Sequence, residues 1–110
     1  MEITTTKFDE QAVIRLSGKL DITASPDLQK TAAALYHKGK CKRLTIDFSM
    51  VPLIDTSGLA TLLELLVMAK DRSGQIVLVG LSARLRYLID VNGLTAFFGI
   101  AGPVREMPDT

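Results

Sequence analysis

The chain is 110 residues long, 47% hydrophobic and only 5% aromatic, with no Trp. A chain of this length forms one domain, here taken as residues 1–110, and its core must be mainly aliphatic. The formal net charge is +1, with acids and bases mixed along the sequence. This balance argues against direct nucleic-acid binding, which needs clustered Lys and Arg, and the short basic run at residues 38–43 is interpreted as a solvated connection.

The first half of the chain is predicted to form a β-hairpin, one helix and a further strand. β-Branched residues at 3–7 and alternating apolar residues at 12–16 predict two paired strands. Ser25 is predicted to cap the helix that follows, and Gly39 is predicted to end it. The alternation at residues 43–48 then predicts a third strand.

The second half is predicted to continue as helix, strand and helix. The helices span residues 58–72 and 82–91, and the apolar run at 76–79 is typical of a central strand covered on both faces. The tail after Gly99 is predicted to hold a short final element and a fraying end. This order predicts an α/β domain, with a mixed sheet of about four to five strands, an initial hairpin and three to four helices packed against the sheet.

The helix predicted at residues 58–72 is expected to bury one face and expose another. The residues predicted to face the sheet are Leu59, Leu62, Leu63, Leu66 and Ala69. The residues predicted on the face that continues from Ser57 are Ala60, Thr61, Glu64 and Met68, with Leu65 close to it. A small residue beside exposed apolar side chains suits the docking of another protein, so this face is predicted to bind a partner.

The segment at residues 47–59 joins the end of a strand to the start of a helix, where α/β folds place functional loops. Thr56 and Ser57 fall at or beside the helix N-terminus, where a phosphate would meet free N–H groups and the positive end of the helix dipole. A phosphate on Ser57 would add a charge of about −1.5 to −2 close to Asp55. The residues alone favour a simpler alternative, in which Thr56 or Ser57 caps the helix.

Four segments of the chain together resemble one known family. The run Asp55-Thr56-Ser57-Gly58-Leu59 resembles the D-S-S-G-L or D-S-T-G-L signature of STAS domains. These domains occur in anti-sigma factor antagonists and in the cytoplasmic parts of sulfate transporters. Residues 16–21, 44–48 and 88–94 resemble three further segments of the family, in the family's order and spacing.

The resemblance implies a STAS fold and a regulatory switch. The family's phosphorylated residue matches Ser57, its loop aspartate matches Asp55, and an acidic position near its partner surface matches Asp21. Thr56 and Gly58 complete the phosphosite loop. Unphosphorylated, such a protein would bind an anti-sigma factor serine kinase, phosphorylation of Ser57 would release it, and a PP2C-type phosphatase would reset it. The resemblance leaves a homodimer open.

Two departures from the family pattern keep an alternative open. Thr56 stands where Ser is commoner, and Ala60 stands where many anti-sigma factor antagonists have a second Gly. The D-T-x-G-L-A pattern also resembles the STAS subunit of bacterial phospholipid ABC transporters, in which the phosphorylatable residue is often absent. In that alternative the chain is an accessory subunit that docks on an ATPase without a phosphoryl cycle.

Catalytic and metal sites are not expected from the residue inventory. A serine nucleophile needs a general base, but His37, the only histidine of the sequence, falls late in the first predicted helix. One Cys with one His cannot complete a zinc site. The lone Cys41 is interpreted as a loop or strand-edge thiol and predicts a reducing compartment. With no visible signal peptide or membrane-spanning stretch, a cytoplasmic protein without membrane insertion is expected.

Overall fold

The computed structural model describes residues 1–38 and 40–101, over which strands and helices alternate as predicted. The elements are β1 (Glu2–Phe8), β2 (Gln11–Ser17), α1 (Ser25–His37), β3 (Arg43–Met50), α2 (Thr56–Asp71), β4 (Gln75–Val79), α3 (Ala83–Val91) and β5 (Gly99–Ala101). Gly39, which was predicted to end the first helix, and the tail beyond residue 101 lie outside the described residues.

The described strands form one five-stranded sheet in the order β1-β2-β3-β4-β5. The β1–β2 hairpin is antiparallel and each later pair is parallel, which confirms the predicted mixed sheet. Each parallel strand is added in the same direction, so right-handed crossovers place α1, α2 and α3 on one face of the sheet. The prediction that residues 76–79 form a central strand covered on both faces is confirmed for Ile76, Val77 and Leu78, which are buried, whereas Val79 is partly exposed.

Alternate residues of the central strands build the core against the helices. The inward residues of β2 and β3 are Ala12, Ile14, Leu16, Leu44, Ile46 and Phe48, all at most 2% exposed. The residues between them in β3, Thr45 and Asp47, lie on the open face and are partly exposed. The alternation of apolar and polar residues along these strands thus corresponds to one face of the sheet that is covered by helices and one that is open.

The start of α1 differs from the prediction that Ser25 caps it. Ala24 precedes the first helical turn, and no side chain makes a capping hydrogen bond there. Ser25 is buried at the first helical position, and its Oγ donates to the backbone oxygen of Asp21 at 2.8 Å. The Asp21 carboxylate in turn accepts from the N–H groups of Thr23 and Ala24. The turn before α1 is therefore ordered by the Asp21 carboxylate and not by a Ser25 cap.

Helix α2 buries a different arc from the predicted one. Its buried residues are Gly58, Thr61, Leu62, Leu65, Leu66 and Ala69. The prediction that Thr61 and Leu65 lie on the exposed face is wrong, and Leu63, predicted to face the sheet, is 42% exposed. The cause is α1, which packs along α2 and turns the buried arc of α2 toward itself. The Thr61 hydroxyl is satisfied inside this contact, because it donates to the Ser57 carbonyl at 2.9 Å.

Candidate functional site

The loop between β3 and α2 is tied to the segment that follows β2. Backbone N–H groups donate from Gly18 to Met50, from Leu20 to Leu53 and from Asp55 to Leu20, at 3.0, 3.1 and 3.3 Å respectively. Leu20 and Ile54 also form an isolated parallel bridge. Because β2 and β3 are parallel, both segments leave the sheet at its carboxyl edge. The segment that carries Asp21 therefore lies against the loop that carries Asp55 and Ser57.

Asp55 is the residue that caps α2. Its backbone is extended, and its Oδ1 accepts a hydrogen bond from the Gly58 N–H at 2.9 Å. A carboxylate at this position also complements the positive end of the helix dipole. The prediction that Thr56 or Ser57 caps the helix is wrong, because both residues are already helical.

Ser57 lies in the first turn of α2 with its side chain partly exposed. Its carbonyl accepts hydrogen bonds from the hydroxyls of Thr61 and Ser25, at 2.9 and 3.5 Å. These contacts fix the backbone at Ser57 and join the start of α1 to the start of α2. Among the described residues, none forms a hydrogen bond with the Ser57 hydroxyl. The backbone of Ser57 is thus fixed, whereas its hydroxyl remains partly exposed to solvent.

Gly58 is required by the close approach of the two segments. A Cβ at this position would lie 2.6 Å from the Leu20 carbonyl oxygen and 2.7 Å from Cγ2 of Ile54. No ordinary non-bonded contact is that short. The glycine of the signature is therefore a packing requirement that lets α2 begin directly against the segment before Asp21.

Exposed apolar side chains lie around this end of the molecule and continue along α2. Ile22, Met50 and Leu53 are exposed by 72, 67 and 41%, and all three lie in or beside the two segments that meet at Asp55. On α2 itself, Leu63 and Val67 are exposed by 42 and 59%. We call these five residues and the exposed Ala60 the apolar rim. Of these residues only Ala60 was predicted from the sequence. Ile22, Met50 and Leu53 are single apolar residues outside the helices, Leu63 was predicted to be buried, and Val67 was assigned to neither face.

The remaining residues predicted to bind a partner are placed in different ways. Asp21 is partly buried and engaged in its own turn, and Met68 packs partly buried against the core. Glu64 is exposed and accepts a hydrogen bond from Gln29 of α1. Thr61 and Leu65 are buried at 2 and 0% exposure, so a partner cannot contact them directly. For Asp21, Ala60, Glu64 and Met68, partner binding stays a prediction.

Other reactive groups lie away from this loop. Cys41 is buried, its Sγ donates to the Arg43 carbonyl at 3.1 Å, and burial raises the pKa of its thiol, which suits a structural role. His37 contacts Arg72 at the far ends of α1 and α2. Within residues 1–38 and 40–101, no group of three or more His, Cys, Asp or Glu is arranged to hold a metal ion. None of the helices in those residues has the length and hydropathy needed to cross a bilayer.

Loss of the Asp55 cap should be measurable. Asp55→Ala is expected to lower the free energy of unfolding by about 1 kcal/mol in urea denaturation, because the Gly58 N–H loses its acceptor. Asp55→Asn keeps an acceptor oxygen and should cost clearly less. Asp71→Ala, at the exposed last residue of α2, is the matched control and should change little. Equal losses for Ala and Asn at position 55 would contradict the capping role.

Comparisons with known proteins identify a family and several structures that share this fold. A family model described as "Mlab, STAS domain" matches residues 3–101. The anti-sigma-B factor antagonist of Listeria monocytogenes is 30% identical over 94 residues, which are 86% of this chain and 82% of that protein. The phosphorylated form of the Bacillus cell fate determinant SpoIIAA superposes with a TM-score of 0.74 at 22% identity, over 92% of each chain. The STAS domain of a SulP transporter from Vibrio cholerae gives a TM-score of 0.72 at 22% identity, over 90% of this chain and 77% of that one.

Proposed function

Because this chain belongs to the STAS domain family and is of the anti-sigma factor antagonist type, we propose that it is a partner-switching regulator. In its unphosphorylated form it binds an anti-sigma factor serine kinase. Phosphorylation of Ser57 by that kinase releases it, and a PP2C-type phosphatase restores the binding form. The observation that carries the proposal is the partly exposed Ser57, whose hydroxyl lacks a hydrogen bond within the described residues, in the first turn of α2.

The electrostatics of the first turn explain how a phosphate would act as a switch. The Asp55 carboxylate already accepts from the Gly58 N–H and supplies the negative charge that the helix N-terminus favours. A phosphate on Ser57 adds a second anion beside the first. In the free protein water screens this pair, but a docked partner would bury it. Burying unpaired charge is costly, so phosphorylation would weaken the complex without unfolding the helix.

The apolar rim is the surface on which the kinase would dock. Ile22 and Leu53 lie on the two segments that meet beside Ser57, and Ala60 and Leu63 continue the surface along α2. Contiguous exposed apolar side chains mark protein-binding surfaces. On this surface a phosphate on Ser57 would fall inside the contact.

The test is the intact mass of the chain after incubation with ATP and the serine kinase encoded beside its gene. Wild type is expected to gain one phosphate, about 80 Da, and Ser57→Ala is expected to gain none. Thr56→Ala removes the adjacent exposed hydroxyl and should still be modified. Phosphorylated wild type, purified from the same reaction, should bind the kinase at least roughly a hundredfold more weakly than unphosphorylated protein.

Two results would overturn the switch. One is a phosphate that persists in Ser57→Ala but disappears in Thr56→Ala. The other is phosphorylated protein that binds the kinase as tightly as before. No phosphate at all would favour the second candidate, an accessory transporter subunit that docks on an ATPase, which Ala60 at an exposed position of α2 already supports. Co-purification with a permease and its ATPase would then be expected.

A further inference from the structure

The end of the molecule opposite Ser57 carries a dense group of basic side chains. Lys38, Lys40, Lys42 and Arg43 all lie in the connection from α1 to β3 or at the first residue of β3, and all four are exposed. We call them the basic end. The ion pairs found among the described residues are Arg15–Asp47 and Arg86–Asp90, so none of the four is neutralised by a carboxylate there.

Stabilisation of a helix end does not account for this group. Lys38 directly follows α1 and complements the negative end of the helix dipole, but Lys40, Lys42 and Arg43 lie beyond it. The backbone of Lys42 and Arg43 is tied to the neighbouring hairpin, because their N–H groups donate to the Glu10 carbonyl at 2.7 and 3.2 Å. Cys41 between them is buried at 2% exposure. The chain therefore presents Lys42 and Arg43 to solvent from a fixed edge of the sheet, with Lys40 exposed beside them.

Two exposed aromatic rings flank the basic end. The strand register aligns Phe8 with Gln11, Gln11 with Arg43, and Arg43 with Gln75, so Phe8 lies at the same edge of the sheet. Phe97 lines a shallow groove with Gln75, and the Lys70 ammonium lies 5.1 Å from the centre of its ring. Phe8 and Phe97 are 50 and 53% exposed.

Acidic residues at this edge do not cancel its positive charge. The acidic residues are Asp9, Glu10 and Asp71. The basic residues are more numerous, because Lys7, Lys70 and Arg72 add to the four of the basic end. The positive charge of Lys7 lies near Cys41, where it partly offsets the rise that burial causes in the pKa of the thiol. The Lys7 Nζ donates a hydrogen bond to the Asp9 carbonyl. The overall charge of +1 thus conceals a positive edge, balanced by acidic residues elsewhere on the molecule.

We propose that the basic end binds the surface of a membrane rich in anionic lipids, with Phe8 and Phe97 entering the headgroup layer. Clustered Lys and Arg attract anionic headgroups, and exposed aromatic rings favour the interface. Duplex nucleic acid would be bound by the cations alone through its phosphates and would leave the two aromatic rings without a role. The bound orientation leaves Ser57, at the opposite edge, facing away from the membrane. The proposal goes beyond the switch and does not depend on phosphorylation.

The test is co-sedimentation of the full chain with vesicles at low salt. Wild type should sediment with equimolar phosphatidylglycerol and phosphatidylcholine but not with phosphatidylcholine alone. Binding should be lost near 1 M salt, where charges are screened beyond about 3 Å. The triple variant Lys40→Gln, Lys42→Gln, Arg43→Gln should bind roughly a hundredfold more weakly, since each surface cation contributes about fivefold. Phe8→Ser should weaken binding as well.

A matched triple variant controls for net charge. Lys19→Gln, Lys30→Gln, Arg84→Gln removes the same charge from exposed positions outside the basic end and should sediment like wild type. All six positions are exposed, so urea denaturation should show unchanged stability in both variants. Equal loss of binding in the two triples would overturn the proposal, as would binding of duplex DNA or of an acidic peptide without binding of vesicles. Ser57→Ala should sediment as wild type does, which separates this result from the outcome of the phosphorylation test.

Discussion

Leu65→Ala is expected to lower the free energy of unfolding by about 3 to 5 kcal/mol, whereas Leu63→Ala should cost less than about 1 kcal/mol. Leu65 is fully buried on the arc of α2 that is turned toward α1. Truncating it leaves a cavity that neither the sheet nor α1 can readily fill. Leu63 is 42% exposed, so water replaces the atoms that it loses. Equilibrium unfolding in urea, followed by circular dichroism, measures both changes.

The two variants control for each other. They remove the same atoms from positions two residues apart on one helix, so helix propensity changes equally in both. If Leu63→Ala were the more costly change, α2 would be rotated toward the face predicted from the sequence. Equal costs at the two positions would mean that α1 does not pack against α2 as described.

The orientation of α2 was the part of the fold that its sequence could not fix. At 3.6 residues per turn, the leucines at positions 62, 63, 65 and 66 span roughly 160° of the helix, so apolar spacing alone does not decide which edge of that arc is buried. The predictions for Leu62 and Leu66 are confirmed because both lie within the arc that faces the sheet. Leu63 and Leu65 lie on opposite flanks of that arc. Which flank is buried depends on where α1 packs, and this is a tertiary contact between segments distant in the sequence.

The strands and helices could be predicted because each carries a local signal. Alternation predicts β2 and β3, and the β-branched run predicts β4. Capping residues could not be assigned in the same way. Aspartate, serine and threonine have similar preferences for the position before a helix, so the sequence does not separate Asp55 from Thr56 or Ser57. The hydrogen bond from the Gly58 N–H to Asp55 decides it, and similarly Asp21 rather than Ser25 orders the turn before α1.

The position of the candidate site could be predicted, but the surface around it could not. The D-T-S-G-L segment pointed to Ser57 through its resemblance to a family, and its place after a strand and at a helix start follows from chain order. Ile22 and Leu53 carry no local signal, because a lone apolar residue in a loop can be buried or exposed with equal ease. Their exposure follows from the hydrogen bonds that bring the two segments together.

Gly58→Ala is expected to lower the free energy of unfolding by about 2 to 3 kcal/mol, although Ala is the better helix former by about 1 kcal/mol. The new Cβ would overlap the Leu20 carbonyl oxygen and the Ile54 side chain. A backbone oxygen cannot turn aside as a flexible side chain can, so α2 must shift from the segment before Asp21. Thermal and urea unfolding measure the cost.

Gly93→Ala separates crowding from backbone strain. Gly93 follows α3 with φ of 71°, and a Cβ there would meet nothing within 4 Å. Its replacement should cost about 1 kcal/mol, from the left-handed conformation alone. A Gly58→Ala protein as stable as wild type would mean that Leu20 and α2 are not in close contact.

Because Ser57 precedes Gly58 in the same turn, the shift caused by Gly58→Ala should also slow phosphorylation of the folded protein. Gly93→Ala, which leaves that turn untouched, should be phosphorylated at the wild-type rate.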